Sequence, residues 1–580
     1  SRLAMSASET IDKYHADTAA PAASAGWRLP WRPSPGAVAL FLIAIPISIP
    51  ILVVLFHLIA PDIEVWNHLR RTRLGEYVSH SLWLMVGVGI GVLLIGIPTA
   101  WLTARYDFFA KRTLVWGLML PLAMPAYIVA YAYIGVMDFS GPLQSLIRDL
   151  TGWGFGDYWF PQIKSLTGAV FILSMVFYPY VYLLARSAFL EQSASLYEVA
   201  QLSRGAQRNP LSRLINSGFM RVGLPLARPA IVAGLMLALM ETLADYGTVH
   251  AFGLTTLTTG IFRSWYGLGQ IEAAAQLAGV LTIFVLALLV LERTSRRRAA
   301  YHHPRAIRPI EPIKLTGWRS LGAFTVCLLP ILFGFLIPVL QLGSWSLINS
   351  ERFLDQNFIR LALNTLGLAA AAALLIVSIA IAIVALKRAR PSRLRQAITD
   401  IATMGYAIPG AVIAVGVFIS LGYFDNAIDG WMRDSFGIST GLLLSGTLVA
   451  LLFAYAVRFM SLGVFSVDAG MARLRPTMLD AARALGHSPS SVLFRVTLPM
   501  IRRSLLTAGL LVFVEVLKEL PATLVLRPFN FNTLAVRTFE LANDEMLIEA
   551  AIPALTIVVI GLLPVILLSR AMTKGNNAGC

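Results

Sequence analysis

Residues 498–519 read LPMIRRSLLTAGLLVFVEVLKE, and residues 224–245 read LPLARPAIVAGLMLALMETLAD. Both stretches begin with Leu-Pro, continue as an apolar run, and end with two acidic residues spaced four apart. The offset that takes Leu224 to Leu498 relates them throughout, and the same offset relates Arg263 to Arg537 further along the chain. A constant offset over nearly forty residues indicates an internal duplication, in which each half of the chain repeats one structural plan.

The composition indicates a membrane protein. Of the 580 residues, 57% are hydrophobic and 13% are charged, whereas soluble domains average about 45–50% apolar and roughly 25% charged residues. A soluble enzyme and a disordered chain are therefore disfavoured. The formal net charge of +16 fits arginine-rich cytoplasmic loops, and we expect no nucleic-acid partner. Cys327 and Cys580 provide neither a disulfide framework nor a metal-binding pair.

Apolar runs of about 20 residues, the length that crosses a bilayer as a helix, recur along the whole chain. Because lipid offers the backbone no hydrogen-bond partner, we predict that all of these runs are α-helices. The expected fold is an all-α integral membrane protein with about 12 transmembrane helices in two parallel, pseudo-twofold repeats of six. The predicted spans are 36–60, 77–104, 113–136, 166–188, 227–250 and 272–292, then 320–346, 361–386, 397–423, 440–467, 500–525 and 547–569.

The distribution of charge predicts the domains and the orientation. Most Lys and Arg residues fall on the side of the two termini, so the positive-inside rule places both termini in the cytoplasm. Arg70, Arg71 and Arg73 lie on the outer side and are the exception. The predicted segments are a disordered tail over 1–35, a first membrane half over 36–292, a basic linker over 293–319, a second membrane half over 320–572 and a tail over 573–580.

A polar segment lies upstream of each Leu-Pro pair, as LDAARALG over 479–486 and as YEVAQLSRG over 197–205. An acidic residue favours the N-terminal turn of a helix, and glycine ends one. Small residues between them let another protein approach closely. An ordinary helical connection between spans is the alternative, but two copies in matching positions favour docking. The predicted docking residues are Glu198, Ala200, Gly205, Asp480, Ala481, Ala482 and Gly486.

The second of these segments resembles the EAA loop of type I ABC importer permeases, because Gly486 is followed by Pro499 at the family's spacing of thirteen residues. The first segment has the same position with longer spacings. Together with 241–248 and 517–529, the two loops resemble the ferric-iron permeases that fuse two six-span halves. In that family the EAA helices dock onto two copies of an ATP-binding subunit, and a periplasmic binding protein delivers the substrate.

The resemblance implies the permease subunit of an importer in the bacterial inner membrane. Such a subunit moves ferric iron, Fe(III), to the cytoplasm by alternating access, and it carries no permanently bound cofactor. No Gly-Lys pair occurs in the sequence, so a phosphate-binding loop of the Walker type is missing. We therefore expect the chain not to be an enzyme and its partner subunits to hydrolyse the ATP.

The fifth and eleventh predicted spans contain two acidic pairs, Glu241 with Asp245 and Glu515 with Glu519. A charge inside the membrane is costly and normally faces a cavity or a partner, and the spacing places each pair on one helix face. With Tyr246, these four carboxylates are predicted to line a central pathway and to bind a hard cation transiently. Structural pairing between helices is the alternative, in which Lys518 neutralises a neighbouring carboxylate.

Four further residues are candidates for a gate. Arg263 and Arg537 follow the acidic pairs by eighteen residues, on predicted outer loops, where they can pair with the carboxylates in a closed state. Pro125 and Pro409 also repeat between the halves, at a second offset slightly longer than the first. We predict that both prolines kink their helices, either to shape a gate or for packing alone.

Two alternative functions remain. The same architecture can carry another cargo, such as thiamine, a polyamine or an oxyanion, although an anion requires basic groups or helix N-termini in the pathway. A proton-coupled secondary carrier with two six-span halves would use the carboxylates as proton relays. That carrier leaves the two matching cytoplasmic loops unexplained.

Overall fold

Long helices joined by short turns make up the described chain. The computed structural model describes residues 35–154, 156–192, 219–297, 312–351 and 355–577. The helices of the first half are α1 (Pro35–Ile59), α2 (Ile63–Thr72), α3 (Leu74–Arg105), α4 (Lys111–Gly117), α5 (Ala126–Met137), α6 (Pro142–Thr151), α7 (Leu166–Leu190), α8 (Leu224–Ala244), α9 (Gly247–Ala251), α10 (Leu257–Phe262) and α11 (Ile271–Arg297).

The second half repeats this order after the linker. Its helices are α12 (Gly317–Ile331), α13 (Ile337–Ile348), α14 (Gln356–Ala389), α15 (Arg393–Ala402), α16 (Gly410–Phe436), α17 (Leu448–Ala472), α18 (Pro476–Ala484), α19 (Pro489–Val492), α20 (Leu498–Met500), α21 (Arg502–Leu517), α22 (Pro521–Leu526), α23 (Leu534–Asn543) and α24 (Leu547–Asn577). Two short strands, β1 (Tyr106–Asp107) and β2 (Ile313–Lys314), form one parallel pair.

Within the described ranges, ten helices are long and apolar enough to cross a membrane. The segments Lys111–Ala123 and Ala126–Thr151 meet at an angle of 95° and form either an eleventh, broken span or a re-entrant loop. The all-α membrane fold is thereby confirmed, but the count of twelve spans is not. Helix α21 stands at the expected place of the missing span, yet its 16 residues fall short of the about 20 that cross a bilayer.

The fourth span of each half shows how the duplication acts on local structure. Helix α7 follows Ser165 and α17 follows Thr447, and both helices run for 25 residues. Each hydroxyl oxygen accepts a hydrogen bond from a backbone amide of the first turn, that of Gly168 in α7 and that of Val449 in α17. A capping hydroxyl satisfies a donor that a helix start leaves without a partner. Equivalent caps therefore set equivalent starts in the two halves.

The predicted kinks at Pro125 and Pro409 prove to be breaks between helices. Each proline follows a short 3-10 turn, Leu120–Ala123 or Met404–Ala407, and occupies the N-cap position of α5 or α16. The two prolines share an extended backbone, with ψ angles of 139° and 142°. Proline is tolerated where a helix begins because an amide there has no intrahelical acceptor. The chain is thus redirected at the same place in both halves.

The fifth spans are interrupted as well, contrary to the continuous helices predicted over 227–250 and 500–525. Helix α8 ends at Ala244 and α9 begins at Gly247, whereas α21 ends at Leu517 and α22 begins at Pro521. The offset that relates the two Leu-Pro stretches also relates the acidic residues Asp245 and Glu519 at the breaks. Each break leaves backbone amides that need partners inside the membrane.

The first span of each half packs against the other half. Helix α1 contacts α14, α15 and α16 of the second half as well as its own α11. In the second half, α12 contacts α3 and α4, while α13 contacts α5 as well as its own α24. This reciprocal exchange ties the two halves together around a shared interface, where the central residues of α5 and α16 are buried.

The linker and the first docking segment are described only at their edges. Residues 1–34, 193–218 and 298–311 lie outside the described residues, and with them lie Glu198, Ala200 and Gly205. At the near side of the linker, Ile313 pairs with Tyr106, so the start of the second half is attached to the end of α3. The predicted domain boundaries stay predictions.

A substitution at Gly416 tests the packing of α1 against α16 of the second half. A Cβ at this position of α16 would collide with the backbone carbonyl oxygen of Pro50 in α1. We expect Gly416→Ala to destabilise the chain by about 1–3 kcal/mol, as overpacking does, and to lower its thermal unfolding midpoint in detergent. Gly422→Ala is the matched control in the same helix, because nothing lies within 4 Å of its Cβ. Equal midpoints for the two variants would contradict this contact.

Candidate functional site

The two broken fifth spans meet at a central cavity of about 100 Å³. Its wall also includes residues of α5 and α7 from the first half and of α17 from the second. Six acidic or basic side chains line it: Glu241, Asp245, Arg458, Glu515, Lys518 and Glu519. Four carboxylates face two cationic groups, so the formal charge of the wall is −2 when all six are ionised. The four acids predicted from the sequence are thus brought together.

Asp245 caps the helix that follows the first break. One of its carboxylate oxygens accepts hydrogen bonds from the backbone amides of Thr248, at 3.0 Å, and of Val249, at 3.2 Å. The other oxygen accepts a hydrogen bond from the Thr248 hydroxyl at 3.1 Å. These bonds satisfy the first amides of α9, which lipid cannot do. Asp245 therefore has a structural role at the wall of the cavity.

Glu519 caps the second break in the same register. Each of its two carboxylate oxygens accepts a hydrogen bond at 2.9 Å from a backbone amide, that of Ala522 or that of Thr523. One of them also accepts a hydrogen bond from the Thr523 hydroxyl at 2.7 Å. The Glu519 side chain is 1% exposed and forms an ion pair with the Arg458 guanidinium at 2.8 Å. This carboxylate is consequently fully used by structural contacts.

The remaining two carboxylates differ in their contacts. Glu515 forms an ion pair at 2.8 Å with the ammonium of Lys518, the C-cap residue that follows α21. This is the structural pairing that the sequence left as an alternative. The side chain of Glu241, its repeat equivalent, makes neither a hydrogen bond nor an ion pair within the described part of the chain. It lies near enough to Glu515, Arg458 and Lys518 to interact with their charges. Glu241 is therefore the acid with unused hydrogen-bonding capacity.

Aromatic rings close the cavity on the side of the 138–165 loop. Tyr246 stacks on Phe262, with ring centroids 3.7 Å apart, and contacts His250 at 5.2 Å. Tyr127 also lines the cavity and contacts Tyr131 at 5.9 Å. Beyond these rings lies a second cavity of about 380 Å³, which includes Asp138, Lys164, His250 and Glu545 in its wall. The rings thus separate a vestibule from the central cavity.

The predicted gate arginines lie elsewhere. Neither Arg263 nor Arg537 lines the central cavity, whereas Pro125 does. The Arg537 guanidinium is 3.6 Å from Glu540, a carboxylate that also pairs with Arg527 at 2.7 Å. The ion pairs predicted between these arginines and the acidic pairs are not formed in this conformation, because a nearer carboxylate on its own helix engages Arg537.

Arg458 is a site residue that the sequence interpretation missed. It lies within α17, and its side chain is only 13% exposed. The signal was present, since Arg458 is the only Lys or Arg within the apolar run from Leu448 to Val467. An isolated charge in such a run indicates an intramembrane partner, here Glu519.

The described conformation holds no preformed metal centre. Within the described ranges, no three His, Cys, Asp or Glu residues are grouped so that they can bind a metal ion. The predicted ligand role of Glu241, Asp245, Glu515 and Glu519 thus concerns a passing ion, and it stays a prediction.

The second docking segment forms a short helix that is mostly exposed, although the predicted docking residue Ala482 is buried. Helix α18 contains Asp480, Ala481 and Ala482, and it ends before Gly486, whose φ of +86° suits glycine. The predicted placement of the acid in the first turn is wrong, because Asp480 is the fifth residue of α18 and pairs with Arg483 at 3.2 Å. Its exposed charge therefore remains available at the surface.

Large apolar side chains surround this helix and point to solvent. Leu485 is 81% exposed and Phe494 is 66% exposed, with Met478 also exposed. Apolar side chains clustered on a polar loop outside the spans mark a surface that another protein covers.

Comparisons with known proteins agree with this arrangement. Residues 375–575 match the family described as binding-protein-dependent transport system inner membrane component. The chain is 25% identical to the Fe(3+)-transport system permease protein FbpB 2 of Haemophilus influenzae, over 92% of this chain and 98% of that protein. The putative ferric transport system permease protein FbpB 1 of the same organism is 22% identical, over 80% and 72%. The molybdenum transport system permease protein ModB of Escherichia coli K12 is 29% identical, over 36% and 88%.

These matches and the fold define a permease subunit that spans the inner membrane several times, and not an enzyme. In particular, the chain resembles type I ABC importer permeases of the ferric-iron subfamily, in which two halves are fused in one polypeptide. The match to ModB covers little more than a third of this chain but most of the length of ModB. This is expected when one half of the chain corresponds to a complete smaller permease.

Arg458 tests the structural part of the site. Arg458→Gln leaves the Glu519 carboxylate buried without its cation, and breaking a buried ion pair from one side costs about 3–5 kcal/mol. We expect a clearly lower thermal unfolding midpoint in detergent. Arg458→Gln with Glu519→Gln removes the unpaired charge and should recover part of that loss.

The control for this experiment is Arg73→Gln. Arg73 pairs with Glu76 at 3.1 Å, but both side chains are well exposed, and exposed pairs contribute only about 0–1 kcal/mol. If Arg458→Gln and Arg73→Gln had the same small effect, the ion pair with Glu519 would not support the fold.

Proposed function

We propose that this chain is the membrane permease of an ATP-driven importer that carries ferric iron from a periplasmic binding protein to the cytoplasm. The central cavity is the observation that supports this function most directly. It lies where the two halves meet, it is lined by carboxylates, and its formal charge is negative. Carboxylate and phenolic oxygens are hard ligands, which suit a hard cation such as Fe(III).

Transport proceeds by alternating access across the aromatic rings. In the described conformation, Tyr127 and Tyr246 line the central cavity and contact Tyr131 and His250, which line the vestibule. We assign the vestibule to the periplasmic side, because the positive-inside rule places the docking loops and both termini in the cytoplasm. Opening of the rings then admits the ion released by the binding protein, and their closure leaves it facing inward.

Energy for this change comes from partner subunits. One chain carries two docking loops, so we propose that it binds two copies of an ATP-binding subunit. The exposed Leu485 and Phe494 beside α18 provide the apolar contact surface, and α18 is connected through α19 and α20 to α21 at the cavity. A movement of α18 is thereby transmitted to Glu515 and Lys518.

The other cargoes fit this cavity less well. An oxyanion would meet four carboxylates, two of which are already engaged as helix caps. For a secondary carrier, the same caps are poorly suited as proton relays, because protonation of Asp245 or Glu519 would remove acceptors from buried amides. Organic cations such as thiamine or a polyamine share the required charge, and they are the competitors that the transport assay includes.

The cargo is tested with the assembled complex in proteoliposomes. The lumen contains ATP, and the outside contains one candidate binding protein at a time, loaded with Fe(III), thiamine, a polyamine or an oxyanion. We expect the Fe(III)-loaded protein to stimulate ATP hydrolysis several-fold, with uptake of iron. Stimulation by another loaded protein, and none by the iron-loaded one, would overturn the iron assignment.

The docking surface is tested by Leu485→Asp. A charge at this exposed position should abolish copurification of the ATP-binding subunit while leaving the thermal unfolding midpoint of the permease unchanged, because Leu485 has few contacts of its own. Leu150→Asp is the matched control. Leu150 is similarly exposed, at 78%, and it lies on α6, within the 138–165 loop and away from the docking segment in the sequence. Full copurification with Leu485→Asp would exclude Leu485 from the docking surface.

A further inference from the structure

The two halves match in position but not in charge. The offset that relates Glu241 to Glu515 also makes Ala244 the repeat equivalent of Lys518. Helices α7 and α17 start at Leu166 and Leu448 and have equal lengths. When α7 and α17 are aligned from their first residues, Val176 is the repeat equivalent of Arg458. Both cationic groups of the cavity therefore belong to the second half, and their equivalents in the first half are apolar.

These two cationic side chains form ion pairs with the carboxylates of their own half. The Arg458 guanidinium holds Glu519 and the Lys518 ammonium holds Glu515, each at 2.8 Å. In the first half, Asp245 accepts hydrogen bonds from amides and a hydroxyl but pairs with no cation within the described residues. Glu241 has neither kind of partner there. The negative charge that is not balanced thus lies on the first-half side of the cavity.

The hydroxyl groups show the same bias. Tyr127 lines the cavity from α5, its side chain is buried, and its hydroxyl has no hydrogen-bond partner among the described residues. An unsatisfied buried hydroxyl is costly unless a ligand or water completes it. The offset between the two prolines makes Ala411 its equivalent, and the equivalent of Tyr246 is Leu520. Oxygen ligands are therefore concentrated on one side.

We propose that the cargo cation binds on one side of the pseudo-twofold axis, to the Glu241 carboxylate and the Tyr127 hydroxyl. Lys518 and Arg458 keep the second-half carboxylates neutralised, so that the cavity holds one cation with part of its water shell and not two. This assignment rests on the proposed cation pathway and deepens it by naming the ligand side. Tyr127 and Glu241 are then specificity-determining residues, and Lys518 sets the charge of the site.

Two double variants separate the side of binding from the net charge. Glu241→Gln with Lys518→Gln and Glu515→Gln with Lys518→Gln each remove one carboxylate and one ammonium, so both keep the formal charge of −2. They share the Lys518 change and differ only in which half loses its acid. Uptake of Fe(III) and its half-saturation concentration are measured for both complexes at equal copurification of the ATP-binding subunit.

We expect the Glu241 double variant to transport at least about tenfold less efficiently than the Glu515 double variant, because a hydrogen-bonded charge contributes roughly a factor of ten or more. Equal losses in the two variants would overturn the one-sided site while leaving the cation pathway intact. No loss in either variant would overturn the pathway itself, and with it the one-sided site.

Tyr127→Phe is a second, independent test of the proposed binding site, and it can be used if a double variant does not assemble. The hydroxyl makes no hydrogen bond within the described chain, so its removal should leave the unfolding midpoint unchanged or slightly raised. We expect a several-fold rise in the half-saturation concentration for iron. An unchanged value would remove Tyr127 from the site and overturn the proposal.

Discussion

The structure depends on how two broken membrane helices satisfy their backbone amides. Lipid provides no hydrogen-bond partner, so a helix that stops inside the membrane requires a replacement. Asp245 and Glu519 supply it from within the chain, each accepting the amides three and four residues further on. Because both breaks are capped in this way, the chain can form a polar cavity between the broken helices while these four amides stay hydrogen-bonded.

The same breaks couple the cavity to the rest of the molecule. Helix α21 follows the docking segment after α19 and α20, and it ends just before Lys518 and Glu519 at the cavity. The exchanged first spans hold the two halves around this point, since α1 packs on the second half and α13 on the first. A movement of α18 therefore reaches the cavity through α19, α20 and α21, within a frame that both halves share.

The sequence predicted the class of fold, the duplication and the four acids at its centre, because apolar runs and matching positions in the two halves can be read from the order of the residues alone. It did not predict the breaks, since Asp245 reads equally well as part of a continuous helix until its hydrogen bonds to Thr248 and Val249 are known. Arg458 was missed for a related reason. Its partner Glu519 is 61 residues away, and a distant contact leaves no trace in a short window of sequence. Pro125 and Pro409 were found by their offset, but whether they bend a helix or begin one depends on packing.

The central claim is that a cation-selective cavity lies where the halves meet, and thiol labelling measures it most directly. A cysteine at Leu122, which lines the cavity, is introduced after Cys327 and Cys580 are replaced by serine. During turnover with loaded binding protein and ATP, a cationic methanethiosulfonate should react faster than an anionic one of similar size, by on the order of tenfold. Equal rates, or a faster anionic reagent, would contradict an acidic pathway through this cavity.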